Sequence, residues 1–441
     1  MNCDLNIKHP HSTPRVLIIG TVPFKTDSPA RALDSFFHFW PKDRLAQIFS
    51  DRTNPIKGHC STLFQITDID LIKRRFKRGD VGTIFSYDDL SYQESSSHST
   101  KKENKFITFL FKVGKQRTSF THLIRKLVWK RKYWLNQKLK SWVADFRPEC
   151  IFLSISDDFF IQDIGLYFAE LYRIPIICQI DDDYIFNRKF SINPFYHIYK
   201  RMYEKQIKRV MSKKTSAVYI CDKIKKAYNT KYGISGETIY LSSGVDRRPF
   251  KPINCQKPSI VYFGSIRLDR FKSLIDIANA LYQINDSFRI EVFSDEKDGK
   301  YINPLKKCKN IFFGGSIPYS DVVKKTSESD ILLIVEGLSK FAIRSTRYSL
   351  STKIADALTS GANLFAYGTN ESGAIGYLKE NDSAMVCTNR EHLVEMLTKL
   401  IFNTAVQKKY YDMSLDASKN HMVVETCNAF MRLVSNLVGK E

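Results

Sequence analysis

The sequence has no run of apolar residues long enough to cross a membrane. A transmembrane helix needs about 20 predominantly apolar residues, and charged residues interrupt every apolar stretch here well before that length. The first 14 residues are polar and contain no apolar core of a signal peptide. We therefore expect a cytoplasmic protein.

Regular spacings of metal-binding residues are also missing. The nine cysteines are scattered without any CxxC pair, and the nine histidines show no HxxxH spacing. Structural zinc sites and disulfide frameworks display such spacings. The sequence therefore predicts reduced thiols, no metal site and no cofactor.

Acidic residues are few compared with basic ones. The chain has 46 Asp and Glu against 68 Lys and Arg, a formal charge of +22, which favours an anionic partner. The segment Lys101–Lys140 holds 13 of the basic residues with one acid, Glu103, and many aromatic residues. This pattern suits a helix on an anionic membrane surface. A solvated basic face of a packed helix is the alternative, and nucleic-acid binding is a third, without a recognised module to support it.

A length of 441 residues favours two α/β domains. Short apolar runs alternate with helical segments, as in a doubly wound parallel sheet. The predicted strands are Arg15–Gly20, Cys150–Ile155, Ile174–Ile180, Ser216–Cys221 and Thr238–Leu241, then Ser259–Gly264, Phe288–Phe293, Ile311–Phe313, Asp330–Val335 and Asn363–Ala366.

The proline-rich segment 242–258 indicates a linker between the domains. We expect an N-terminal domain over residues 1–250, a C-terminal domain over 257–422, and a final helix over 423–441 that packs back on the N-terminal domain. Residues 390–437 read as helical. Open α/β sheets bind ligands beyond the carboxyl ends of their strands. The loop from Gly20 and Thr21 to Ala30 follows the first strand and is therefore a candidate binding loop.

The strongest local candidate is the run Ser349–Gly361. Ser351 and Thr352 are good N-cap residues, and Lys353 opens the following helix. A helix N-terminus next to a lysine favours a phosphate group, and Asp356, one turn on, can accept hydrogen bonds from ribose. An ordinary surface helix with a serine cap is the alternative.

Three carboxylates, Asp181 to Asp183, follow the strand Ile174–Ile180. Carboxylates at the end of a buried strand can act as a general base or bind a metal ion. They can equally begin a loop and cap a helix.

The order of several short motifs resembles the GT-B glycosyltransferases of family 4. The run Lys353, Asp356, Gly361 is similar to that family's donor-site helix, with Asp356 in the position of its usual Glu. Other matches, in the order of the family, are Ser243–Asp246 with Phe250, Gly264 followed by Arg267 and Lys272, Gly315, and the strand that begins at Asp330.

The resemblance implies an α/β protein with two doubly wound, Rossmann-like domains facing across a cleft. Arg267 and Lys272 then face the donor pyrophosphate and take part in catalysis, with Gly264 beside them and Gly315 near the base. Asp181 stands where the family usually has a His and is the catalytic and acceptor-side candidate, together with Gly20 and Thr21. Tyr348 stands in the position of a sugar-contacting Glu, which Glu336 can replace.

The implied function is transfer of a hexose from a nucleotide sugar to a glycan or lipid-linked glycan in polysaccharide biosynthesis. The resemblance implies a metal-independent, retaining reaction in which cations stabilise the departing diphosphate. The basic segment Lys101–Lys140 would hold such an enzyme at the inner face of an anionic membrane. A nucleotide-sugar epimerase or hydrolase is one alternative, and a non-catalytic GT-B scaffold that assists a partner transferase is another.

Overall fold

The chain divides into two compact units. We use a computed structural model that describes residues 13–24, 31–76, 80–90, 118–188 and 190–439. The first unit consists of Met1–Tyr219, Lys225–Ile239 and Cys427–Glu441. The second unit consists of Ile220–Ile224 and Tyr240–Thr426.

The first unit is built on an eight-stranded sheet. Its strands lie in the order β4-β3-β2-β1-β5-β6-β7-β8, and all neighbours are parallel except the antiparallel pair β3 and β4. The strands are β1 (Val16–Ile19), β2 (Leu45–Phe49), β3 (Thr62–Gln65), β4 (Thr83–Ser86), β5 (Cys150–Ser154), β6 (Ile176–Ile180), β7 (Thr215–Tyr219) and β8 (Gly236–Thr238). The sequence patterns did not predict β2, β3 and β4.

The helices that accompany this sheet begin at clear capping residues in several places. Asn136 and Asn193 each accept a backbone hydrogen bond at a helix start, and Pro194 follows Asn193 at the first helical position. The helices are α1 (Arg31–Phe37), α2 (Asp68–Phe76), α3 (Ser119–Val128), α4 (Arg131–Trp134), α5 (Gln137–Phe146), α6 (Phe159–Tyr172), α7 (Pro194–Met211) and α8 (Asp222–Tyr232).

The second unit contains a six-stranded parallel sheet in the order β11-β10-β9-β12-β13-β14. Apolar side chains of these strands and the flanking helices form its core. Its strands are β9 (Ile260–Phe263), β10 (Ile290–Phe293), β11 (Ile311–Gly315), β12 (Ile331–Val335), β13 (Asn363–Tyr367) and β14 (Met385–Cys387).

The helical region predicted over residues 390–437 is broken into three helices. A break at Asn403 separates the first two, and its side chain caps the second. The remaining helices are α9 (Arg270–Ile284), α10 (Gly299–Lys307), α11 (Tyr319–Glu328), α12 (Lys340–Thr346), α13 (Lys353–Ser360), α14 (Gly373–Glu380), α15 (Leu393–Phe402), α16 (Thr404–Ser418) and α17 (Val423–Val438). Among the described residues, no helix is both long and apolar enough to span a bilayer.

The segment expected to be a linker belongs to the second unit. The guanidinium of Arg247 donates to the carbonyl oxygens of Leu358 and Tyr411, at 3.0 and 2.6 Å. The backbone N–H of Ile253 donates to the side chain of Gln407 at 3.0 Å. The boundary between the two units therefore lies after residue 239, earlier than the expected end of the N-terminal domain at residue 250. These hydrogen bonds help to tie residues 240–256 to the second unit.

The C-terminal residues 427–439 complete the core of the first unit. The ring of Phe430 lies 5.0 to 5.9 Å from four aromatic rings, those of Phe36, Phe37, Trp40 and Phe152. Phe430 is fully buried. Aromatic groups packed at these distances stabilise a core beyond the area that they bury.

We predict that Phe430→Ala lowers the free energy of unfolding of the first unit by about 3–5 kcal/mol, because it leaves a cavity among these rings. All four tryptophans lie in the first unit, so urea unfolding followed by tryptophan fluorescence reports on this unit. Phe402→Ala, at a largely exposed position of the second unit, is the control and should leave the transition in place. An unchanged transition for Phe430→Ala would contradict the packing described.

Candidate functional site

The second sheet reverses its winding between β9 and β12. From β9 the chain adds β10 and β11 on one side, and then returns to add β12, β13 and β14 on the other. Such a switch point leaves a crevice at the carboxyl ends of the two strands, where open α/β sheets bind ligands. A cavity of about 100 Å³ is lined by residues of β9 and β12 and by Arg270, Glu336, Ser351, Lys353 and Asp356.

Lys353 is the first residue of α13, which begins and ends as the sequence predicts. The backbone N–H of Lys353 donates to the hydroxyl of Ser351 at 3.4 Å. The side chain of Thr352, at the N-cap position, makes no capping hydrogen bond. Gly361 ends the helix with φ of 82°, a left-handed conformation that glycine adopts readily. The serine, and not the threonine, therefore caps this end of the helix.

The amine of Lys353 lies directly against Gly264, which follows β9. A Cβ atom at residue 264 would stand 1.8 Å from the Nζ atom of Lys353. Gly264 also has φ of 136°, which side chains other than hydrogen rarely permit. The two residues that the sequence predicts to share one site thus lie in contact, and the positive φ at residue 264 favours glycine there.

Arg270 and Glu336 form a bidentate ion pair in the same cavity. The Nε and Nη2 atoms of Arg270 donate to the two carboxylate oxygens of Glu336 at 2.9 and 3.0 Å. Glu336 is buried at the end of β12, and its carbonyl oxygen accepts from the hydroxyl of Ser273 at 2.8 Å. This geometry fixes the guanidinium beside the cavity.

The electrostatic balance of the cavity shifts two pKa values. Burial lowers the pKa of Lys353 to about 8, with a further contribution from the charge of Arg270, while Asp295 and Glu336 oppose the shift. Burial raises the pKa of Glu336, against the attraction of Arg270 and Lys353. Two cations thus share one buried carboxylate, an arrangement that favours the binding of an additional anion.

Arg267 and Lys272, the predicted phosphate-binding cations, have other partners. Arg267 is exposed and pairs with Glu296, at 3.0 Å between Nη2 and Oε1. Lys272 is exposed and pairs with Asp269 at 2.9 Å. Neither residue lines the cavity, whereas Arg270, which the sequence analysis did not select, does so.

The turn before α9 determines which cation reaches the cavity. Leu268 and Asp269 both have positive φ, 54° and 61°, a conformation that is costly for residues other than glycine. The carbonyl oxygen of Leu268 passes so close to Gly337 that a Cβ atom there would lie 2.0 Å away. This turn starts the helix at Arg270.

Asp356 lines the cavity, but its carboxylate already has protein partners. One oxygen accepts from the hydroxyl of Ser243 at 3.0 Å and from the N–H of Gly244 at 3.1 Å. The other accepts from the hydroxyl of Tyr319 at 3.4 Å. Asp356 therefore holds the Ser243–Gly244 segment, which the sequence analysis matched to a family motif, against α13.

The other candidates of the second unit lie outside the lining of this cavity. Gly315 ends β11 with φ of 71°, and its carbonyl oxygen accepts from the N–H of Ser294 at 2.9 Å. Asp330 precedes β12 and accepts from the N–H of Ser259 at 3.0 Å. The ring of Tyr348 lies 4.5 Å from the guanidinium of Arg347.

The first sheet has its own switch point between β1 and β5. Gly20 follows β1, and a Cβ atom there would lie 3.6 Å from the hydroxyl of Ser154 at the end of β5. That hydroxyl donates to Gln179 at 3.1 Å, and the amide of Gln179 in turn donates to Asp181, which follows β6. Gly20 and Asp181 thus lie at the carboxyl ends of β1 and β6, the two strands on either side of β5. The carbonyl oxygen of Thr21 accepts from the N–H groups of Ser50 and Asp51, and residues 25–30 of the predicted loop lie outside the described residues.

Asp181 differs from the two carboxylates that follow it. Burial, together with the charge of Asp182, raises the pKa of Asp181 to about 7, while the hydrogen bond from Gln179 opposes the shift. Asp183 accepts the N–H groups of Ile185 and Phe186 at 3.1 and 2.6 Å and so caps a turn. A pKa near neutrality suits a group that exchanges protons, which makes Asp181 the candidate among the three.

In the described part of the chain, two clusters each bring together three potential metal ligands. They are Asp34 with His38 and His59, and His122 with Asp157 and Asp158. Although burial opposes the charge of His122, its hydrogen bonds with the two carboxylates raise its pKa to about 9. Arg125 also pairs with Asp158, so the second cluster forms an ion-pair network.

No protein-family model matches the sequence, and no curated protein matches it. Solved structures match along nearly the whole chain. HepE of Anabaena in complex with UDP is 12% identical, with a TM-score of 0.57, over 96% of this chain and 100% of that one. A glycosyltransferase of Rickettsia africae is 14% identical, with a TM-score of 0.55, over 97% and 99%. The sucrose-phosphate synthase of Thermosynechococcus elongatus is 11% identical, with a TM-score of 0.57, over 97% and 99%. The chain has the GT-B fold.

The GT-B fold confirms the fold class predicted from the sequence. Within it, the structure brings Gly264, Glu336, Ser351 and Lys353 together at the switch point of the second sheet. Arg270 was missed because the predicted motif depends on spacing alone, and Arg267 and Lys272 fit that spacing.

We predict that the stability of the protein rises with pH because of the lowered pKa of Lys353. The native state releases the proton of Lys353 near pH 8, whereas an unfolded lysine keeps it until about 10.5. The free energy of unfolding should therefore rise with pH in this range, by about 2 to 3 kcal/mol from this residue. The measurement is urea unfolding by circular dichroism from pH 7.5 to 10, and Lys353→Met should remove the rise. A difference between the two proteins that stays constant with pH would contradict the assignment.

Proposed function

We propose that the chain is a glycosyltransferase that uses a nucleotide-sugar donor. The observation that supports this proposal is the pair of cations at the switch point of the second sheet. The amine of Lys353 lies against Gly264, and the guanidinium of Arg270 is held by Glu336. A diphosphate is the ligand that such a pair favours, because a partly buried anion gains most from fixed positive charge.

The donor is proposed from the comparisons as well as from the site. Crystal structures of HepE contain UDP, UDP with glucose, or UDP-glucose. We infer that the second unit of this chain also binds a nucleoside diphosphate, with its phosphates near Lys353 and Arg270.

In this proposal, the two cations stabilise the leaving group. Breaking the glycosidic bond of the donor places negative charge on the departing diphosphate. Lys353 and Arg270 are positioned before the reaction by Gly264 and Glu336, so they need little reorganisation as the charge develops. This arrangement supports transfer without a metal ion, and the retaining outcome expected for family 4 is part of the proposal.

The acceptor side is proposed to lie on the first unit. Asp181 stands at the carboxyl end of β6, next to Gln179 and near Gly20. A carboxyl group with a pKa of about 7 can accept the proton of an acceptor hydroxyl at neutral pH. We propose a glycan or lipid-linked glycan as the acceptor, in polysaccharide biosynthesis, and a hexose as the transferred sugar.

Localisation at the cytoplasmic face of a membrane belongs to the same proposal. The basic segment Lys101–Lys140 supports it, although residues 101–117 lie outside the described residues. The described remainder, residues 118–140, contains seven Lys and Arg and no acidic residue.

We predict that UDP raises the melting temperature of the protein, by linkage between binding and folding. Lys353→Ala should weaken UDP binding at least tenfold, since it removes the buried charge nearest to Gly264. Arg267→Ala and Lys272→Ala are matched controls that remove exposed, partnered cations, and each should change the affinity less than about threefold. Isothermal titration calorimetry measures all three.

The controls also decide between two assignments. A large loss of affinity in Arg267→Ala and Lys272→Ala, with none in Lys353→Ala, would favour the spacing of the sequence motif over the cavity. If no nucleoside diphosphate binds, the non-catalytic scaffold becomes the better explanation. Turnover of a nucleotide sugar to an isomer without any acceptor would identify an epimerase.

We predict that Asp181→Asn separates binding from transfer. The variant should bind UDP like the wild type, because Asp181 belongs to the other unit, and should lose transfer by roughly 100-fold or more, as expected for a missing general base. The measurement is UDP release from a panel of UDP-sugars, with water alone and with polyprenyl-diphosphate-linked sugars as acceptors. The pH profile of the wild type should rise through the pKa near 7. Full activity of the variant would remove Asp181 from the mechanism.

A further inference from the structure

Two helices of the first unit carry apolar stripes on their solvent-exposed faces. In α3 these residues are Phe120, Ile124 and Leu127, spaced by four and three positions. A helix on the surface of a soluble domain normally turns such a stripe inward and exposes its polar side. The face of α3 that carries His122 and packs against the domain is already buried, so the exposed stripe is additional to it.

The second stripe lies on α7, with the same period. Phe195, Ile198 and Met202 are exposed at spacings of three and four. Tyr199, Tyr203 and other residues of the opposite face are buried in the domain. This helix therefore also has two apolar faces, one that packs in the core and one that is exposed to solvent.

The two stripes meet at their N-terminal ends. The rings of Phe120 and Phe195 lie 5.0 Å apart in an edge-on arrangement. The segment that precedes α7 adds Phe190 and Ile192, which are 96% and 91% exposed. Eight exposed apolar side chains in one region of the first unit exceed the scattered exposure that is normal for a soluble protein.

Basic residues flank these apolar side chains. Lys130, Arg131 and Lys132 follow α3 and are exposed, as are Arg201 and Lys205 on α7. The range 190–211 contains five Lys and Arg and one acid, Glu204. That carboxylate is paired with Arg188 at 2.5 Å and with Lys231 at 3.3 Å. We call the eight apolar and five basic residues the apolar–basic surface.

We propose that the apolar–basic surface docks the protein onto an anionic lipid bilayer. Aromatic and aliphatic side chains enter the boundary between headgroups and acyl chains, and the lysines and arginines contact the anionic headgroups. The near absence of acidic residues favours a lipid surface, which is uniformly negative. The inference extends beyond the basic segment expected from the sequence, because it assigns the insertion to α7 and to residues 190–192, and it does not depend on any transferase activity.

The test uses the full-length protein and sedimentation with lipid vesicles. One set of vesicles contains equal parts phosphatidylcholine and phosphatidylglycerol, and the other contains phosphatidylcholine alone. We predict that the wild type binds the anionic vesicles at least tenfold more tightly than the neutral ones, and that added salt weakens this binding. The double variant Phe190→Ser, Ile192→Ser should bind the anionic vesicles at least tenfold more weakly, because both side chains lose apolar area that the bilayer would bury.

A matched control has the same chemistry at other exposed sites. Phe312 and Phe402 of the second unit are 58% and 54% exposed, and the double variant Phe312→Ser, Phe402→Ser should bind vesicles like the wild type. Replacing Lys130, Arg131 and Lys132 by glutamine should weaken binding to the anionic vesicles and flatten its dependence on salt.

The docking variant replaces side chains that are almost fully exposed, so its fold is expected to persist, and tryptophan fluorescence checks this. Absence of wild-type binding to anionic vesicles would overturn the proposal, as would equal binding by the wild type and the Phe190, Ile192 variant. Self-association of the wild type through these residues, without vesicle binding, would show that the surface is a protein interface.

Discussion

The second unit is organised around a buried positive charge. Taking the amine of Lys353 out of water is unfavourable, as its lowered pKa shows. Glu336 and Asp295 offset part of this cost, and Glu336 is held in place by Arg270. Glycine is favoured at residue 264 because its φ of 136° is one that other residues rarely adopt, and the absence of a Cβ atom leaves the amine in place. In the proposed function, a bound anion completes the compensation that the protein leaves partial.

The surrounding backbone is adapted to this arrangement. Two consecutive residues with positive φ, Leu268 and Asp269, start α9 at Arg270, and Gly337 leaves space for the carbonyl oxygen of Leu268. Such conformations are costly and persist where the neighbouring structure enforces them. The strained turn and the close approach of Gly264 thus meet at the same switch point, between β9 and β12.

The two sheets carry opposite chemistry at the carboxyl edges of their central strands. Each sheet reverses its winding beside its first strand, between β1 and β5 and between β9 and β12. Beside the first switch point, at the end of β6, Asp181 is a carboxyl group with a raised pKa. At the second, Lys353 and Arg270 provide positive charge. In the proposed function, Asp181 accepts a proton and the two cations bind an anion, which are the two halves of a group-transfer reaction.

The sequence alone determined the fold class and the glycine–lysine pair of the site. Buried parallel strands are continuous apolar runs, so the alternation of strands and helices could be predicted from the sequence. Gly264, Lys353 and Gly361 could be selected from their residue types and positions. The strands β2, β3 and β4 escaped prediction because their apolar signal is short and mixed with polar residues. Tertiary structure alone decided that Arg270, and not Arg267 or Lys272, reaches the cavity. The three cations lie within six residues, and the strained turn at Leu268 and Asp269 determines which of them points toward the cavity. It also decided that the apolar stripes of α3 and α7 face solvent, since helical periodicity defines a face but not what covers it.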